Sequence, residues 1–386
     1  MALTINQCYD IVNEISKQSY GEGAIKAVNR QGLISLGDKV LSSTTDKEKF
    51  MDNLTNLIGK TIISNRPYTG ARKNVVMNLL EYGSITRKLH VKPIKAEKNS
   101  SWGEYNIGDP VHGRGNYNPP QALQFMFESR SVYQFPITLP DHQLNTAFES
   151  AEGLNSFISA VYVEMENCIN QSLDDMINLC VNNFIAEKIL YSRKEGVKGQ
   201  HAINLLAVYN EAYETTLTPA NALKDLEFLK FSGMLIRNTI KKMATRNMLF
   251  NTKGLLKHTS ADYLNVFLLS EYVSAHSTYL QSNTFHKELV ELPNFSEVLY
   301  WQGLGENGTI ADCSTISMIT ESTGETLTQS YIIGLLCDKE AVGVLYHRKE
   351  GKAEYIPYNE ITQKWEKVET GFFNDLAENG VVFYLA

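Results

Sequence analysis

The sequence predicts an α+β fold: a helical front, a long β-hairpin, one very long helix, a mixed α/β region and a set of closing strands. Three observations carry this. Ser84–Val91 and Leu123–Ile137 alternate apolar and polar residues as strands do. They bracket Ala96–Pro120, which is rich in Gly, Pro, Asn and charge and has neither a helical nor a strand period. Glu149–Tyr191 repeats apolar residues every three or four positions inside a stretch with no proline from Asp141 to Leu217. Toward the end, Tyr331–Cys337 and Val381–Leu385 are continuous apolar runs, the pattern of strands buried on both faces.

The bulk numbers agree with a globular chain. It has 386 residues, 43% hydrophobic and 20% charged, enough for a large core and two or three subdomains. No basic stretch followed by an apolar run marks a secretion signal at Met1–Tyr20, and no apolar run is long enough to span a membrane. Five scattered cysteines (Cys8, Cys168, Cys180, Cys313, Cys337) form no CxxC pair and read as small buried residues in a reducing compartment. The net charge is −7 but uneven: residues 1–100 hold 15 Lys and Arg against 9 Asp and Glu, leaving 21 against 34 in the rest. A basic front and an acidic body attract one another between copies, although a solvated surface also accommodates such asymmetry.

Along the chain, Thr4 caps an expected helix in which Ile5, Tyr9, Val12 and Ile15 share a face, broken by Gly21 and Gly23. A second helical segment is expected over Asp46–Ile63, ended by Arg66-Pro67. In the hairpin, Ile85, Leu89 and Val91 lie opposite Thr86, Lys88 and His90, while Leu123, Phe125 and Phe127 lie opposite Gln124, Glu128 and Arg130. Each strand would reach roughly 25–45 Å at about 3.3 Å per residue. Leu154, Phe157, Ile158, Val161, Met165, Ile169, Met176, Cys180 and Phe184 set the face of the long helix, which would run roughly 60 Å. Helices follow over Leu205–Thr216 and Ala220–Thr245, the second with Pro219 at its first turn. Asn265–Ser270, Val298–Trp301 and Thr315–Ile319 read as strands, Ala275–Phe285 as helix or loop, and Gly303–Gly308 as a turn. Asp338-Lys339-Glu340 turns the chain between Tyr331–Cys337 and Ala341–Tyr346.

No constellation announces catalysis. The phosphate-loop pattern, the dinucleotide fingerprint, HExxH, GxSxG and the EF-hand spacing are all absent. His201, His258, His276 and His286 do not form a metal spacing, and Asp174 and Asp175 are adjacent and point about 100° apart on a helix. No catalytic, cofactor-binding or metal residue is nominated. What stands out is the hairpin. A long loop without structure of its own is uncommon in a compact domain unless it binds something or stays disordered. Its arms and tip carry Lys92, Lys95, Lys98, Trp102, Tyr105, Arg114 and Tyr117, with Phe125 and Phe127 on the second strand. Aromatic and basic residues interleaved in this way hold single-stranded nucleic acid or form the hot spot of a protein interface. With an acidic remainder, the protein partner is favoured.

The order of these elements resembles the major capsid (major head) proteins of tailed bacteriophages, the Hong Kong 97-type fold. The resemblance covers nearly the whole chain. Its most telling stretches are Ser84–Ile137, Glu149–Tyr191, His258–Glu288, Ile332–Tyr346 and Gly380–Leu385. The runs Arg246–Leu269 and Gly334–Val344 are similar to segments of short-tailed phage head proteins. The resemblance implies an N-terminal helical arm (1–65), a connection (66–82), an extended β-hairpin loop (83–138), a peripheral domain with a spine helix (139–199), a mixed α/β axial domain (200–325) and peripheral strands (326–386). It implies a structural protein, not an enzyme, that self-assembles as hexamers and pentamers into an icosahedral or prolate shell enclosing double-stranded DNA. That shell would be the capsid of a virion, assembled in the host cytoplasm with a separate scaffolding protein and a portal, without cofactor or membrane. Some relatives crosslink a loop lysine to a peripheral asparagine; Lys95 or Lys98 and Asn374 or Asn379 are present here without a pattern that selects them. A cellular nanocompartment shell of the same fold, a tail tube or sheath protein, and a soluble cytosolic enzyme stand as alternatives.

Overall fold

A computed structural model describes residues 13–14, 16–18, 26, 30–41, 76–78, 86–92, 121–127, 131–140, 151–194, 196–197, 200–278, 295–302, 308–320 and 324–386. In chain order the principal elements are α1 (Arg30–Leu41), β1 (Val76–Asn78), β2 (Thr86–Val91), β3 (Ala122–Phe127), β4 (Ser131–Pro140), α2 (Ala151–Arg193), β5 (Ala202–Asn204), α3 (Leu205–Tyr213) and α4 (Leu226–Ala244). After them come β6 (Leu264–Leu269), α5 (Ser270–His276), β7 (Ser296–Val298), β8 (Ile316–Ile319), β9 (Thr326–Gln329), β10 (Ile332–Asp338), β11 (Val342–Ile356), β12 (Ile361–Asn374) and β13 (Gly380–Tyr384). The chain is mixed helix and sheet, as expected, and divides into two compact units. Among the described residues no helix is long and apolar enough to cross a membrane.

The first unit (residues 1–82, 130–177 and 344–371) is organised by a four-stranded sheet in the order β1-β11-β12-β4. β4 runs antiparallel to β12 from Ser131 opposite Thr370 to Pro140 opposite Ile361. β1 lies parallel to β11. One face of this sheet buries Leu139, Thr362, Lys364, Glu366, Val368 and Thr370. Charges on that face are tolerated because Lys349 Nζ sits 2.8 Å from Glu366 Oε2, with Lys364 Nζ 3.9 Å from the other carboxylate oxygen. Burial, with the Lys349 charge adding to it and Glu366 opposing, holds the Lys364 ammonium below its ordinary pKa.

The second unit (residues 83–129, 178–343 and 372–386) is built on a five-stranded sheet in the order β5-β13-β10-β6-β7. β10 is its centre, antiparallel to both β13 and β6, while β5 and β7 pair parallel at the edges. Val266–Leu269, Ile332–Ile333, Leu335–Cys337 and Val381–Phe383 are all buried, which explains their unbroken apolar sequence. The C-terminal half of α2 is buried on every side from Cys180 to Ile189, as befits a helix inside a core rather than on its surface. Helix and strand approach closely at Gly380, where an added Cβ would lie 2.6 Å from the Phe184 ring. The β2–β3 ribbon and the β8–β9 hairpin are separate two-stranded sheets of this unit.

Several expectations are met and several are revised. The long helix forms over 43 residues, and its predicted face from Met165 through Ile169, Met176 and Cys180 to Phe184 is buried. The second helical segment of the mixed region divides. Pro219–Ala222 makes one turn, and α4 begins only after Asp225, whose carboxylate accepts from the Phe228 N–H at 2.8 Å and caps it. The expected single strand Leu123–Ile137 is two strands. β3 pairs with β2, whereas β4 leaves the hairpin and pairs with β12. The break follows from partners: a strand edge joins whichever ladder buries its apolar residues, and Tyr133, Phe135 and Ile137 find theirs on β12. Val298–Trp301 is displaced to Ser296–Val298, and β11 runs ten residues beyond the expected Tyr346. α1 and β12 were not anticipated. Thr4, Ile5, Tyr9, Val12 and Ile15 of the first expected helix, the expected helix over Asp46–Ile63, the tip Ala96–Pro120, the expected Ala275–Phe285 helix or loop beyond Thr278 and the Gly303–Gly308 turn up to residue 307 lie outside the described residues.

Fully buried Lys188 sits on the inner half of α2. Its ammonium donates to the carbonyl of Phe250 at 2.9 Å and to that of Glu378 at 3.3 Å. Burial depresses its pKa to about 7, and Cys337, Asp375 and Glu378 pull it back only in part. The unfolded chain therefore binds one more proton between about pH 7 and 10.5, so this group's contribution to stability rises with pH across that window and its penalty is complete below it. The Phe250 carbonyl also accepts from the Gly380 N–H at 3.0 Å and keeps a partner without the lysine. Lys188→Met is expected to gain about 1–3 kcal/mol at pH 7 and to lose this pH slope. Denaturant unfolding at pH 7 and pH 9 checks it; a variant with the wild-type slope would contradict the assignment.

Candidate functional site

The site is the root of the β2–β3 ribbon. The two strands pair from Thr86 opposite Phe127 to Val91 opposite Ala122, and beyond them the Lys92 N–H donates to the Gln121 carbonyl at 2.8 Å. Alternation gives the ribbon two faces with different chemistry. Lys88 and His90 from β2, with Leu123, Phe125 and Phe127 from β3, point to one side. Arg87, Leu89, Val91, Ala122, Gln124 and Met126 point to the other.

The inner face is engaged with the same unit. The Phe127 ring lies 5.5 Å from the Phe373 ring, and the Phe125 ring meets His90 edge-on at 5.4 Å. Lys88 Nζ donates to the Glu340 carbonyl at 2.6 Å and to Glu378 Oε1 at 3.1 Å, and lies 3.2 Å from Asp375 Oδ2. His90 Nε2 is 2.9 Å from Asp375 Oδ2 and its Nδ1 is 2.9 Å from Lys257 Nζ. Lys257 Nζ is also 2.6 Å from Glu378 Oε1. Burial opposes the Lys88 ammonium, but Glu378 and then Asp375 outweigh it, and its pKa stands above the ordinary lysine value. His90, Asp375 and Glu378 offer three ligand atoms within 4.8 Å of one another, the spacing of a metal trio. The two ammonium groups already balance both carboxylates and Lys257 holds the imidazole nitrogen, so the arrangement is an ion-pair network rather than a metal centre.

The outer face is bare. Leu89, Val91 and Met126 are 66%, 56% and 60% exposed, an apolar strip on a ribbon only two strands wide. Of the residues nominated from sequence, Lys92 is exposed and donates to the Gln121 side chain at 3.0 Å. Phe125 and Phe127, expected as anchors on a neighbour, are half-buried with their rings against their own chain. Lys95, Lys98, Trp102, Tyr105, Arg114 and Tyr117 lie outside the described residues. Sequence reasoning missed Met126, although its place between Phe125 and Phe127 puts it on the opposite face. It also missed Asp375 and Glu378.

The chain was compared with known proteins. A family profile described as Phi29-like phage major capsid protein matches residues 10–384. A curated protein named major capsid protein, from Bacillus phage GA-1, is 24% identical over 199 residues, 49% of this chain but only 39% of that protein's length. Among solved structures, one titled capsid structure of Staphylococcus phage Andhra aligns with a TM-score of 0.51 at 12% identity, covering 82% of this chain and 84% of the other. A chain from the structure of head fiber and inner core protein gp22 of native bacteriophage P68 aligns with the same score and coverage at 11% identity. At such identities these structures establish likeness of fold.

Proposed function

The chain belongs to the Phi29-like phage major capsid protein family, and from this premise we propose that it self-assembles into a closed shell in which each β2–β3 ribbon lies on a neighbouring copy. The family is one of structural shell proteins, so the function is assembly and not turnover. The observation that carries the proposed contact is the two-faced ribbon: its root is tied into its own unit while Leu89, Val91 and Met126 are left to solvent. Covering those three would contribute about 3 kcal/mol per ribbon before entropy is charged. That is too little to hold two copies together. In a closed shell every copy gives and receives such contacts at once, and closure makes weak interfaces collectively strong.

On this reading the extended loop is residues 83–130, shorter than the expected 83–138 because β4 pairs with β12, and Lys95, Lys98, Trp102, Tyr105, Arg114 and Tyr117 add basic and aromatic contacts. Residues 1–65 are the arm, and the peripheral domain takes 139–199 with β11 and β12; β10 and β13, expected there, are assigned with 200–325 to the axial domain because they share one sheet with β5, β6 and β7. The copies group as hexamers and pentamers around packaged double-stranded DNA, which the acidic body holds only non-specifically. A separate scaffolding protein and a portal complete the assembly in the host cytoplasm. The test is electron microscopy of the purified chain, expressed alone and with proteins encoded beside it. Closed particles of uniform size are expected. A chain that stays a monomer or small oligomer under all these conditions would refute the proposal.

A further inference from the structure

We propose that the ion network at the ribbon root is a proton-controlled latch, with His90 as its gate. The tautomer follows from the partners. An ammonium only donates, so Lys257 at 2.9 Å obliges His90 Nδ1 to accept, and the ring's single N–H is on Nε2, donating to Asp375 at 2.9 Å. With neutral His90, the buried charges of Lys88, Lys257, Asp375 and Glu378 cancel. Every member is held: Lys88 by both carboxylates, Lys257 by Glu378 and the imidazole.

A second proton on His90 has only one place to go, the nitrogen that faces Lys257. It turns an N–H···N bond into two like-charged donors 2.9 Å apart and leaves the cluster with an uncompensated positive charge. The surroundings limit its compensation. The groups facing His90 are Lys88 on its own strand, Phe125 on β3, Lys257 from the segment after α4, and Asp375 and Glu378 from the link between β12 and β13. Glu378 Oε1, 3.8 Å from Nδ1, is already shared between Lys88 and Lys257. Glu340 reaches Lys88 from the turn before β11, but its carboxylate is largely in water. Asp338 adds negative charge from β10, and Lys188 on α2, whose pKa burial brings to about 7, adds positive charge on the acid side of that value. Acid therefore parts Lys257 from His90, and the ribbon's tie to its unit loosens. Because the ribbon's other face is the one proposed to meet a neighbour, the latch governs how that face is presented; this consequence rests on the assembly reading, whereas the latch itself does not.

The unassembled full-length subunit tests it. Hydrogen exchange of the peptides covering 84–92 and 121–128, corrected for the intrinsic pH dependence, is expected to rise at least tenfold between pH 7.5 and 5.5, with the β6–β10–β13 sheet unchanged. His90→Gln should abolish the response. Lys257→Met should abolish or invert it, because a protonated His90 then completes the charge balance. Ribbon protection that is equal at both pH values, or a Lys257→Met variant that opens as the wild type does, would overturn the proposal. Nitrogen NMR of the histidine-labelled wild type gives an independent reading: a proton on Nε2 at pH 7.5 supports it, and one on Nδ1 overturns it. Failure of these tests leaves particle formation by the same chain as a separate question.

Discussion

Replacing residues 96–120 with a short Gly-Ser linker is expected to give a soluble, folded subunit that forms no shells. Lys92 and Gln121 are joined through backbone and side chain, so a few residues suffice to connect the strands at that point. The root contacts of Lys88, His90, Phe125 and Phe127 all lie before that point. Shortening the connection also lowers the entropy of closing it, by about 1 kcal/mol. Subunit stability should thus be unchanged or slightly higher. What disappears is the tip with Lys98, Trp102, Tyr105, Arg114 and Tyr117, residues of the kinds that dominate interface hot spots. On the proposed assembly each copy both gives and receives this contact, so its loss is multiplied around the shell. Unfolding curves and electron microscopy of the same preparation check both halves. Normal particles from the shortened chain would remove the tip from assembly.

Glu378→Gln is expected to cost about 3 kcal/mol or more in subunit stability. Glu378 Oε1 takes Lys257 at 2.6 Å and Lys88 at 3.1 Å in a nearly water-free site. An amide of the same shape keeps one acceptor, loses the charge, and leaves Lys88 and Lys257 with Asp375 as their sole buried anion. Removing one partner of a buried ion pair is far costlier than never having built the pair. The double substitution Glu378→Gln with Lys257→Met restores neutrality and should recover much of the loss, a coupling of more than about 1 kcal/mol. Denaturant titration at neutral pH measures all three. A loss below about 1 kcal/mol for Glu378→Gln would mean that water screens the network.

What was legible in the sequence follows from what burial does to sequence. The centre of α2 and the strands β6, β10 and β13 are buried on all sides, so their apolar runs cannot belong to anything exposed. β12 gave no such sign. Its buried face reads Thr362, Lys364, Glu366, Val368 and Thr370, and only the cross-strand position of Lys349 makes that face habitable. The hairpin's alternation was visible, but alternation does not name a partner. β4 pairs with a strand more than 220 residues later. The ribbon root was hidden for the same reason: the residues that satisfy Lys88 and His90 lie 167 to 290 positions away. Which face of β3 met the body was likewise undetermined. Phe125 and Phe127 looked like anchors for another molecule, yet the larger rings went inward, leaving Leu89, Val91 and Met126 outside.

A reconstruction of the assembled particles at side-chain resolution tests the central claim most directly. In a closed shell, Leu89, Val91 and Met126 of each ribbon should lie within van der Waals contact of an adjacent copy, with Lys88 and His90 still facing their own Asp375 and Glu378. Particles in which that outer strip stays open to solvent would contradict the account.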